Sequence, residues 1–87
     1  MLIIKALYER DEDINVILSQ CHNFDVYMSR KKIAHASVVK SCSNFTKFVR
    51  KMLHPNAKRD KKKILNELDD MDLIAYKIWL KAKINSL

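Results

Sequence analysis

Apolar residues recur along most of this chain at intervals of three and four, the period of a helix resting on a core. Between residues 3 and 21, Ile3, Leu7, Ile14, Ile17, Leu18 and Cys21 fall within about 100° on a helical wheel. The polar run Arg10-Asp11-Glu12-Asp13 interrupts them, and either Asp11 or Asp13 is suited to cap a second segment. The pattern predicts a helix over residues 2–22, broken near 10–13. Leu2-Ile3-Ile4 also suits a short strand over 2–8, the competing reading. From Asn23 to Met28 the phase changes: Phe24, Val26 and Met28 alternate with Asp25 and Tyr27, a period of two. A lone six-residue strand has no partner in a monomer, so this segment reads as an extended connector.

Ser29 suits the N-cap of the next helix, which the pattern extends from Arg30 to His54. Ala34, Val38, Cys42, Phe45, Phe48, Val49, Met52 and Leu53 cluster within about 140°, opposite Lys32, Lys40, Lys47, Arg50 and Lys51. Ser41 to Asn44 weakens the helix locally, but the phase survives. Pro55 ends it, because its ring pushes His54 out of the α region. A last helix is predicted from between Asn56 and Asp60 to Asn85, with an inner stripe of Ile64, Leu68, Met71, Ala75, Ile78 and Ala82. Beyond residue 72 a second stripe appears on nearly the opposite side: Leu73, Tyr76, Leu80, Ile84 and Leu87. A helix apolar on two sides needs two partners, so this stripe is predicted to meet another protein chain or a second copy. The alternative is that the N-terminal helix folds over it.

Composition sharpens the picture. The chain has 87 residues, no glycine and one proline, with 48% hydrophobic residues. Without glycine, phosphate-cradling loops and tight hairpins of the usual kind are excluded. Asn23, Asn44 and Asn56 are the predicted turn makers, since asparagine tolerates positive φ better than most residues. The fold class that follows is all-α, a small bundle of three or four helices in one domain spanning 1–87. Two cysteines make no disulfide framework, nothing resembles a secretion signal, and no apolar run is long enough to span a membrane. These features point to a cytoplasmic, reducing compartment and no membrane partner.

Charge supplies the functional signal. Residues 29–63 hold twelve lysines and arginines against one acid, Asp60, whereas residues 1–28 sum to −3 and 64–87 to −1, within a total of +7. A block of one sign repels itself, and nucleic acid is the commonest partner that supplies counter-charge in bulk. Lys32, Lys40, Lys47, Arg50 and Lys51 share one helix face with no acid between Arg30 and His54. A merely solubilising face normally mixes both signs. Lys58, Arg59, Lys61, Lys62 and Lys63 follow at the start of the last helix, where cations oppose the helix dipole. A phosphate placed there would meet free N–H groups and lysines together.

Other chemistry is weaker. Cys21, His22, His35, Cys42 and His54 lack the close pairing of a zinc site, and both cysteines lie on apolar stripes, so no metal is expected. Glu67, Asp69, Asp70 and Asp72 scatter around the wheel and form no carboxylate pair. No nucleophile is spaced from a base, so neither an enzyme nor a cofactor is expected. Trp79, Phe45 and Phe48 fall beside or on apolar stripes and read as core anchors. The segment F-D-V-Y-M-S (24–29), Arg30–Cys42 and T-K-F-V-R-K-M-L (46–53) resembles the ribbon-helix-helix DNA-binding proteins. The resemblance implies a strand that dimerises and sends alternate side chains into the major groove. Here those side chains are Asp25 and Tyr27, without a basic residue.

The reading is a non-catalytic nucleic-acid-binding protein, for DNA or RNA, contacting phosphates through Lys32, Lys40, Lys47, Arg50, Lys51 and the 58–63 cluster. A place as a small helical subunit of a larger nucleoprotein complex would use the second apolar stripe as well. The alternatives are a protein-interaction module of the phage or virus inhibitor or adaptor type, docking its basic face on an acidic partner, and a ribbon-helix-helix-like regulator.

Overall fold

A computed structural model describes residues 2–30 and 35–87. Among them are five helices and no strand: α1 Leu2–Glu9, α2 Ile14–Arg30, α3 Ala36–Leu53, α4 Lys61–Asp69 and α5 Lys77–Asn85. α3 is the hub and packs on α2, α4 and α5, while α1 lies on α2. All five helices feed one apolar core: Ile4, Ile17, Cys21, Phe45, Phe48, Val49, Met52, Ile64, Leu68, Leu80 and Ile84 are buried in it. The all-α expectation therefore holds, with more breaks than the pattern implied.

The predicted break at 10–13 is present, and its geometry explains how a chain without glycine turns there. Asp11 takes the left-handed conformation at φ 56°. Its N–H bonds Tyr8 O at 3.2 Å, and Glu12 N–H bonds Leu7 O at 3.1 Å. That pair of bonds is the Schellman helix ending, with aspartate in the place glycine usually takes. Asp13 then caps α2: its Oδ1 accepts from the N–H of Asn15 at 2.8 Å.

Residues 23–28 are not an extended connector. They continue α2 to Arg30. Ile17, Cys21, Phe24 and Met28 keep a four-three-four spacing, so the helical stripe runs on beneath the apparent alternation. Ser29 lies in the last turn of α2 and is not a cap, its hydroxyl donating to Val26 O at 2.9 Å. The ribbon implied by the ribbon-helix-helix resemblance is thus helix, and with it the major-groove strand is lost. Asn23 and Asn44 also sit inside helices, so of the three predicted turn makers Asn56 alone lies in a turn. Pro55 does end α3, and His54 is extended at φ −66°, ψ 142°.

The largest correction concerns the last helix. It divides at residues 70–76, where Tyr76 takes φ 55° ahead of α5. α3 holds the break open: Asn44 Nδ2 donates to Leu73 O at 2.7 Å, and Ala75 N–H to Ser41 O at 3.3 Å. Lys77 Nζ donates to Asp69 O and Met71 O, closing the C-terminal end of α4. The two helices no longer share one wheel. Leu80 and Ile84 of the supposed outer stripe are fully buried, and Leu87 packs against the core. Ile78 of the supposed inner stripe is 87% exposed, and Ala82 is exposed too. Leu80, Ile84 and Leu87 are therefore core positions and not a face offered to another chain; Leu73 and Tyr76 alone of that stripe are exposed. α1 packs on α2 and reaches α5 and the residue before it through side chains only. Glu9 accepts from Trp79 Nε1 at 2.9 Å and from Lys83 Nζ at 2.8 Å, Tyr8 meets Trp79 edge-on at 5.6 Å, and Lys5 lies 4.1 Å from the centre of the Tyr76 ring.

Candidate nucleic-acid interface

The basic residues divide by what they touch. Arg50, on α3, donates to Asp25 Oδ2 of α2 at 2.7 Å. Buried Thr46 donates to the other oxygen of Asp25, also at 2.7 Å, so one carboxylate ties α2 to α3 at two points. Lys51 donates to Glu67 of α4, and its ammonium lies 4.9 Å from the centre of the Phe48 ring. Lys61 Nζ donates to Asn85 O at 2.7 Å, joining the start of α4 to the end of α5. These three cations are thus committed within the fold, which sequence spacing did not reveal. Their partners lie 25, 16 and 24 residues away.

Lys40, Lys47, Lys58, Arg59, Lys62 and Lys63 are exposed and have no carboxylate partner among the described residues. Lys32 lies outside the described residues. Lys40 and Lys47 are seven residues apart on α3, hence on one face and about 10.5 Å apart along the axis. His54 continues that row just past the helix end.

α3, the 54–60 turn and α4 enclose an open groove of about 480 Å³. Lys47, Arg50, Lys51 and His54 line one side of it, Lys63, Asp60 and Glu67 the other, with buried Ala57 and Ile64 at its base. The groove brings together two parts of the basic block that the sequence separates, the α3 face and the 58–63 cluster. A hydrogen bond from Lys51 holds the Glu67 carboxyl below its usual range, and the charges of Lys63 and Lys47 act in the same direction. Asp60 stands at the start of α4 but makes no side-chain cap bond, so the positive end of the helix dipole adds to the lysines there.

Sequence reasoning missed the parts of this site contributed by Asp60 and Glu67. Glu67 stands four residues after Lys63, a spacing that places the two on one helix face. Its union with Lys51 depends on tertiary packing. Both cysteines are free and buried, and among the described residues no group of His, Cys, Asp or Glu could hold a metal ion. No described helix is long and apolar enough to cross a membrane. No protein-family model, curated protein or solved structure matches the chain.

Proposed function

We propose that this protein binds nucleic acid, DNA or RNA, through the sugar–phosphate backbone and without catalysis, as a small helical component of a nucleoprotein assembly. One observation carries the reading: Lys40, Lys47, Lys58, Arg59, Lys62 and Lys63 are exposed with no carboxylate partner among the described residues, and two of them, Lys47 and Lys63, flank a single groove. Uncompensated charge at that density attracts polyanions, and each phosphate neutralised releases counter-ions. No cluster of Arg, Asn and Gln suited to reading base edges accompanies it, which favours binding guided by charge and shape.

The test is retention of short duplex and single-stranded oligonucleotides as salt is varied. Four to six phosphate contacts give log K against log[salt] a slope of about −4 to −5 on duplex DNA. Replacing Lys40, Lys47 and Lys63 together by Glu is expected to weaken binding to all sequences alike and leave the helical content unchanged. Absence of retention at about 50 mM salt would sink the reading. Salt-dependent binding to an acidic polypeptide alone would transfer the basic surface to a protein partner.

A further inference from the structure

Resting on that reading, we propose that the groove between α3 and α4 is the seat of one backbone phosphate, and that Glu67 fills this seat in the free protein as an internal counter-ion which the phosphate displaces. Lys47 and Lys51 from α3 and Lys63 from α4 converge on the groove, and Glu67 lies among them as the acceptor for Lys51. A carboxylate and a phosphodiester each offer one negative charge and anionic oxygens, so either satisfies the same ammonium. The groove is open, and the side chains of Lys51 and Glu67 are 32% and 38% exposed. Pairs that exposed are weakly held, and one partner can swing away without burying a bare charge. The hydrogen bond from Lys51, with the charges of Lys63 and Lys47 added, keeps the Glu67 carboxyl ionised below its usual range, which agrees with that placement. Asp60, the other acid of the groove, has no lysine partner among the described residues and stands at the start of α4, so Glu67 is the residue a phosphate must compete with.

Glu67 therefore lowers affinity in the wild-type protein, and its removal should raise it. Glu67→Gln is expected to bind a 20-base-pair duplex about two- to fivefold more tightly at about 100 mM salt. Its salt slope should steepen by about 0.9, because the phosphate no longer exchanges for an internal carboxylate and one more counter-ion is released on binding. Lys51→Gln should weaken wild-type binding, because the phosphate that displaces Glu67 then finds no ammonium there, and should cut the gain from Glu67→Gln to the size seen with Asp72→Asn. Asp72→Asn makes the same charge change outside the groove and should give a smaller gain that does not depend on Lys51. Circular dichroism confirms folding of each variant, and Glu67→Ser serves as the second substitution. The proposal is overturned if wild type binds and Glu67→Gln binds no better, or if its full gain survives loss of Lys51. Failure of wild type itself to bind removes the functional reading, and this proposal goes with it.

Discussion

Leu80 and Ile78, two residues apart on α5, decide the architecture of the C-terminal third. Leu80 is fully buried, whereas Ile78 is 87% exposed. Truncating a buried leucine to alanine costs about 2–5 kcal/mol, the lost transfer energy plus the cavity left behind. A domain of this length has a total stability of about 4–13 kcal/mol, so Leu80→Ala removes a large share of it. Taking about 3 kcal/mol, and about 4–8 °C per kcal/mol for a domain of this size, the melting temperature should fall by about 12–24 °C. Ile78→Ala removes a side chain already in water and should stay within about 0.5 kcal/mol of wild type. Thermal and urea melts followed by far-ultraviolet circular dichroism on both variants make the comparison. If residues 61–85 formed one straight helix with the heptad stripe inward, Ile78 would be core and Leu80 outside. A cost above about 2 kcal/mol for Ile78→Ala, with Leu80→Ala nearly silent, would refute the break at 70–76.

Two further predictions come from titrating groups. Burial pushes the Cys21 thiol up to about 11, so in native buffer near neutral pH it should react with Ellman's reagent far more slowly than in urea; equal rates would place it at the surface. The Glu9 carboxyl is lowered from its usual 4.5 by hydrogen bonds from Lys83 and Trp79, so its contribution is complete above pH 4.5 and is lost as pH falls through the lower folded value. The melting-temperature gap between wild type and Glu9→Gln should therefore close as the pH is taken below 4.5, and a gap that persists to about pH 2 would mean the charge is not its source.

Much was settled by local chemistry and is legible in the sequence: a helical fold, the turn at 10–13, the stop at Pro55 and the concentration of positive charge in one block. Each follows from residues adjacent in the chain, such as the capping carboxylate of Asp13 or the proline ring acting on His54. The helical wheel fails where its premise of one unbroken phase fails. Residues 64 and 80 lie about 160° apart on a continuous helix, yet both Ile64 and Leu80 are buried. The reset at Tyr76 is held by Ser41 and Asn44, roughly thirty residues earlier, and no local pattern records such bonds. At 23–28 the error was the reverse, a period of two read into six residues of an uninterrupted helix. The basic residues show the same division. Their number and clustering belong to the sequence, but packing decides that Arg50, Lys51 and Lys61 face partners within the fold while Lys47 and Lys63 meet across a groove. An ion pair between helices depends on where two backbones come to rest, and that is set by the core they share.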